Sequence, residues 1–216
     1  MAATALVLRN AVVQIQTALA SAKTITGISK ASEAVVTATH DYSVGDYILL
    51  YGITGMTQMN YRVVRVKSVS TTVSFVCEGV DSTNFTTWAN GGSAQKITFG
   101  ASFDNITQLE LPDASPDEID VTSIHDDERQ IVFGHNAAQK GTLSLIANPL
   151  ATAITEVQTA SKAQERRAFL VTLASGQKAL FNAYCSGGAG FSGGVGAAGT
   201  AQISLTLRNV PQWFAS

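Results

Sequence analysis

Short stretches in which apolar and polar residues alternate at a period of two constrain this chain more than any other feature. Val64 and Val66 alternate with Arg65 and Lys67, and Phe75 and Cys77 alternate with Ser74 and Glu78 after the turn-like Ser70-Thr71-Thr72. Near the other end, Ile203, Leu205 and Leu207 alternate with Gln202, Ser204, Thr206 and Arg208. A period of two puts one face in a core and the other in water, as in antiparallel sandwiches and barrels. Further strands are expected at 47–51, 108–111, 141–146, 167–173 and 179–184, where Thr and Val favour the extended form.

One segment departs from this period. Asn148 offers an N-cap, Pro149 suits a first helical position, and Leu150, Ile154, Val157 and Ser161 fall at helical spacing. The spacing predicts a helix over about 149–164, laid by its apolar stripe on a sheet. The expected fold is mainly β: a sandwich or barrel with one flanking helix, plus a smaller all-β domain near the N-terminus. A compositional change near Ile97–Gly100 divides the chain into an arm or strand at 1–20, a small β domain at 21–97 and a larger domain at 98–216. Ser186–Gly199 is rich in Gly and Ala and reads as a connection between two strands.

Charge narrows the function. The chain has 216 residues, 14 basic against 16 acidic, and a formal net charge of −2, so no basic excess exists to hold nucleic acid by counterion release. Charged residues make up 14%, against about 25% in ordinary soluble domains, which suggests a surface partly covered by further copies of the chain. Arg9 interrupts the apolar run in Met1–Val13, so no signal-peptide core of adequate length is expected, and no apolar run suits a membrane-spanning helix. Cys77 and Cys185 stand far apart and are expected to be buried, reduced thiols, pointing to synthesis in a reducing cytoplasm.

Candidate chemistry is sparse. Gly188-Ala-Gly190-Phe-Ser-Gly193 matches a dinucleotide fingerprint by letters, but a strand pattern rather than a helix follows it. Between Asp104 and Glu128 lie nine carboxylates and only at Arg129 a cation; they lack the tight alternation and Gly turn of a calcium loop. His40, His125 and His135 read as surface or loop residues, and no G-x-S-x-G elbow occurs. No catalytic, cofactor-binding or metal-binding residue is assigned, and an enzyme is not expected.

The run Asn105–Ile124, with its strand, Pro bend and Ile119-Asp120-Val121-Thr122 step into a long loop, resembles the major tail tube proteins of long-tailed, siphovirus-like bacteriophages. Gly134, Gly141-Thr-Leu-Ser-Leu145, Asn148-Pro149, Ser175-Gly176-Gln177-Lys178 and Thr200–Arg208 follow in the family's order, so the resemblance spans about Phe99–Val210. Within Lys23–Ile97, the pieces His40–Ile48, Gly52–Val64 and Gly79–Gly92 are similar to a small β domain of phage virion proteins. That domain is in turn similar to the first catalytic-cysteine half-domain of ubiquitin-activating enzymes. It implies a barrel-like module and no ubiquitin chemistry, since Cys77 has no basic or His neighbour in sequence to activate it.

The resemblance implies a tail-tube-type β-sandwich that assembles into hexameric rings, stacked as the conduit for DNA delivery. The implied location is the virion tail, with synthesis in the host bacterial cytoplasm. Its partners would be further copies of itself and other tail proteins (tape measure, terminator, distal tail), with DNA passing through without sequence-specific binding, no membrane and no cofactor. Ser123–Gly134, with His125, Asp126, Asp127, Glu128 and Arg129, is the expected inter-ring contact. Trp213 and Phe214 are expected subunit contacts, as is the arm Ala5–Gln16, and the 21–97 domain is expected on the outside. Other readings are a terminator or connector, a glycan-binding adhesin using Tyr42, Tyr47, Tyr51, Tyr61 and Trp88, or a hydrolase using the acidic stretch.

Overall fold

The alternating segments do form strands, and nearly all of them join one continuous antiparallel sheet. The structure is a computed structural model that describes residues 8–113, 115–125, 127–136 and 138–215. In chain order the elements are β1 (Val12–Leu19), β2 (Lys23–Ile28), β3 (Val35–Ala38), β4 (Tyr47–Tyr51), β5 (Val63–Ser70), β6 (Ser74–Cys77), β7 (Ser93–Phe103) and β8 (Ile106–Glu110). They continue as β9 (Pro116–Asp120), β10 (Ile131–Asn136), β11 (Lys140–Ile146), α1 (Thr152–Ala163), β12 (Arg166–Thr172), β13 (Lys178–Gly187), β14 (Thr200–Leu207) and β15 (Gln212–Phe214).

Six strands close on themselves. The order β2-β3-β6-β5-β4-β7 returns to β2 through the pairs Lys23↔Ala94 and Thr24↔Ser93. Ile25, Val36, Ile48, Leu50, Val64, Phe75 and Cys77 fill this small barrel. Its closure leaves no lateral edge, which is the surest way to prevent unwanted strand pairing.

The eleven-residue β7 links this barrel to the rest. Its start pairs with β2 and β4, and its second half pairs with β1 from Ile97↔Leu19 to Phe103↔Val13. From there the sheet runs β7-β1-β12-β13-β14-β11-β8, with β15 beside β13. One face packs Val13, Ile15, Phe103, Leu143, Phe169 and Phe181 against α1, with the Phe169 ring stacked 5.4 Å from Phe181 and 6.2 Å from Phe103. Val12–Gln16 is therefore an interior strand and not a free arm: Val13 and Ile15 point into the core, and β7 and β12 occupy both edges. Gln16 is buried at a bulge, where its side-chain carbonyl accepts the Ala168 N–H at 3.1 Å.

The opposite face of the large sheet is half covered by the barrel. Val63 and Ile97 meet Ala168, Leu170, Leu180 and Phe214 there. Tyr61 stands at positive φ (61°), and its carbonyl accepts hydrogen bonds from Asn182 Nδ2 (2.9 Å) and Asn209 Nδ2 (3.2 Å). The Arg166 guanidinium lies between the Tyr61 and Tyr184 rings, 4.1 and 4.5 Å from their centroids.

Two expectations need correction. The helix begins at Thr152, after a turn in which the Ala151 N–H reaches the Asn148 carbonyl at 3.0 Å. Asn148 therefore does not cap it, Leu150 lies before the first turn with 91% exposure, and the apolar stripe is Ala153, Ile154, Val157 and Ala160. The alanines let the helix approach the sheet closely. His40 is only 4% exposed: its ring stacks on Tyr42 at 5.0 Å, its edge meets Phe75, and its Nδ1 accepts the Tyr42 N–H. His125 and His135 are exposed, as expected.

Candidate assembly surfaces

The later part of the acidic stretch, from Pro116, folds into the one described strand pair that makes no pairing with the main sheet. β9 and β10 pair only with each other, through Ile131↔Asp120, Val132↔Ile119 and Phe133↔Glu118. The alternation of Ile119 with charged residues predicts nothing about burial here, because the hairpin has no core beneath it. Ile119, Val121, Ile124, Val132 and Phe133 are all exposed, Ile124 at 97%. A two-stranded hairpin with apolar groups in water is marginally stable alone, and such groups mark a contact surface.

The tip has an internal design. Asp120 Oδ1 accepts the Thr122 N–H at 2.9 Å and also its hydroxyl, while Asp120 Oδ2 faces Arg129 Nε at 3.1 Å. Thr122 Oγ1 in turn accepts the Gln130 N–H at 3.0 Å, and the Val121 N–H bonds the Gln130 carbonyl. The hydrogen bonds from Thr122, then the Arg129 cation, hold the Asp120 carboxyl below the usual carboxylate range. Asp120 and Thr122 of the I-D-V-T step thus close the hairpin tip. Arg129 is engaged in that closure, while His125, Asp127 and Glu128 project from the tip with exposed side chains. Asp126 lies outside the described residues.

Gly134 and Gly141, both picked out in the sequence, answer to close packing. A Cβ on Gly141 would sit 2.7 Å from the Glu110 carbonyl oxygen where β11 meets β8, and one on Gly134 would crowd Ile119 Cδ1 at 3.2 Å. Beyond β8 no further strand pairs among the described residues, so Ile106–Glu110 presents an open edge.

The family model for phage tail tube proteins (TTP) matches residues 54–216, well over half of the chain. The chain belongs to this family. No curated protein matches the sequence. A tail tube protein is a structural component of the virion tail that assembles with copies of itself and with other tail proteins, and the family is generally not enzymatic. The match begins at Thr54, inside the small barrel, so the family pattern includes β5, β6 and β7 as well as the larger lobe.

Against this background the remaining sequence candidates sort by burial. Phe214 is corrected: it is 4% exposed and already covered within the chain, beneath the Arg65 guanidinium at 4.6 Å, so it is not available to a second subunit. Its neighbour Trp213 points the other way and is 51% exposed, as strand alternation in β15 requires. Three of the five aromatics of the adhesin reading are engaged within the chain: Tyr42 is in the barrel core with its hydroxyl on the Ala94 carbonyl, Tyr47 packs on Phe99, and Tyr61 lies under Arg166. Cys77 and Cys185 are buried and unbridged, and burial pushes their thiols up to about 12 and about 11. Both are inert at neutral pH. The Gly188–Gly193 run leads into β14, a strand, so no helix N-terminus is available to a pyrophosphate. Among the described residues no cluster of three His, Cys, Asp or Glu could hold a metal ion, and no helix is long and apolar enough to cross a membrane.

Proposed function

We propose that this tail tube protein forms hexameric rings that stack into the DNA conduit of a siphovirus-like tail. The observation that carries the reading is the β9–β10 hairpin, whose exposed Ile119, Val121, Ile124, Val132 and Phe133 need a neighbouring subunit to leave water. His125, Asp126, Asp127, Glu128 and Arg129 would sit at the inter-ring contact, with Arg129 acting through its closure of the tip, and Trp213 would meet a lateral neighbour. Duplex DNA would pass without being gripped: net charge is −2, and the bare face of β11 and β14 carries Thr142, Ser144, Gln202, Ser204 and Thr206, with Lys140 at its end the one cation within these two strands.

On this reading the chain divides into 1–20, 21–97 and 98–216, and the barrel at 21–97 decorates the outside of the tube. The barrel's closure supports that role, because a module without edges cannot compete with ring pairing. Its resemblance to the first catalytic-cysteine half-domain of ubiquitin-activating enzymes would be one of shape; the fully buried Cys77 offers no nucleophile.

Negative-stain electron microscopy with light scattering on the purified chain tests the proposal. Six-fold rings and tubes are expected. Replacing 117–133 by a short turn should leave rings and abolish tubes. Monomers at every concentration would refute it.

A further inference from the structure

We propose that the cleft beside the open edge of the large sheet is the seat for the hairpin of a second copy of this chain. The inference rests on the self-assembly reading above and adds the receptor to it. The cleft, about 460 Å³, opens where the chain reverses between β7 and β8 and where residues 8–11 lead into β1. Asn105 and Asn10 make these two bends at positive φ (56° and 60°). Leu8, Val13, Phe103, Ile106 and Leu109 supply an apolar lining, and Arg9 is the only charged residue among those described on its wall. Arg9 has no ion-pair partner among the described residues, and the adjoining β8 has an unused row of backbone hydrogen-bonding groups.

The hairpin has the complementary chemistry. It exposes Ile124 and Phe133, and it carries Asp117, Glu118, Asp127 and Glu128, none of them ion-paired among the described residues. Seating it would cover apolar side chains on both partners, set carboxylates near Arg9, and bring the free outer edge of a hairpin strand beside β8. Knob and seat are different surfaces of the same molecule, so the contact is head-to-tail. Each joined copy leaves one hairpin and one cleft free, which allows continued growth where a two-fold contact would stop at a dimer.

A double variant, Thr107→Cys with Ile124→Cys, places one thiol on the cleft wall and one at the hairpin tip; Cys77 and Cys185 are buried and add no background. Oxidation of the assembled protein should give a ladder of dimers, trimers and longer species on a non-reducing gel, absent from either single variant. Arg9→Glu should raise the concentration needed for assembly about tenfold, with the defect eased at high salt. Normal tubes without a ladder, or an unchanged threshold in Arg9→Glu, would overturn the seat and leave the tube reading intact. A bridge formed only within one chain would also overturn it. Absence of any self-association would sink both.

Discussion

Phe214→Ala tests whether the end of the chain serves this molecule or its neighbours. The ring is 4% exposed and packs among Val63, Ile97, Ala168, Leu170 and Leu180, with Arg65 above it. Truncating a buried Phe costs about 3–5 kcal/mol through lost transfer energy and the remaining cavity, and losing the cation contact adds about 0.5–1 kcal/mol. With a urea m-value of about 3 kcal/mol/M for a chain of this size, the midpoint should fall by more than about 1 M. The thermal midpoint should fall by about 10 °C. Both are read on dilute, unassembled protein by circular dichroism and fluorescence together. Trp213→Ala, at 51% exposure on the other face of the same strand, should cost about 1 kcal/mol or less and act instead on assembly. A Phe214→Ala protein as stable as the parent, or a Trp213→Ala protein that is the less stable of the two, would refute the assignment of Phe214 to the junction between barrel and sheet.

Three further outcomes follow from the geometry. Ile154→Ala should cost about 2–5 kcal/mol, whereas Leu150→Ala should stay within about 0.5 kcal/mol, because only Ile154 lies under the helix; denaturant midpoints decide it. Gly141→Ala should cost about 1–3 kcal/mol, since its Cβ would press on the Glu110 carbonyl and must push β8 away from β11; amide exchange should quicken first at Thr142 and Glu110. The Asp120 carboxyl is held below its ordinary range, so its contribution to the hairpin tip is present above the unfolded value and lost as pH falls through the folded one. The Thr122 and Gln130 amide resonances should therefore keep their shifts from pH 7 to about 5 and move below about pH 4, and Asp120→Asn should remove that dependence.

What the sequence made legible follows from where the chain has a dry side. Ile203, Leu205 and Leu207 alternate with polar residues because one face of β14 meets the core, whereas 47–51 reads as a strand through a continuous apolar run, since Ile48 and Leu50 fill the barrel and Tyr47 and Leu49 meet the junction. The helix was legible in kind but not in phase: Asn148-Pro149 reads as a cap, while the turn it forms delays the first helical residue to Thr152. The hairpin was hidden because strands without a core show no hydrophobic period, and Asp117, Glu118 and Asp120 read only as charge. The I-D-V-T step drew attention to 123–134, and this segment is the exposed tip and second strand of the hairpin. The junction was illegible for another reason: Val63, Ile97, Leu170 and Phe214 come from four distant segments, and only the folded chain brings them together. Phe214 reads as a subunit contact because the residues that cover it, Val63, Ile97, Ala168, Leu170 and Leu180, lie far from it in sequence.

On the proposed reading, the path of β7 accounts for confining assembly to the larger lobe. Its first residues close the barrel and its last residues begin the open sheet, so one strand sets the lobes' mutual register without a linker between them. The Tyr61 carbonyl and the Arg166 stack then fix the angle between them. Closure uses every edge in the barrel, whereas the open sheet keeps β8 free and projects the hairpin from the segment that follows it. Free edges and uncovered apolar residues are the features that template further pairing, and the β8 edge and the exposed apolar residues of the hairpin fall in one stretch of sequence, Ile106–Phe133. If the chain stacks into a tube as proposed, a barrel without open edges leaves no second, competing direction of growth.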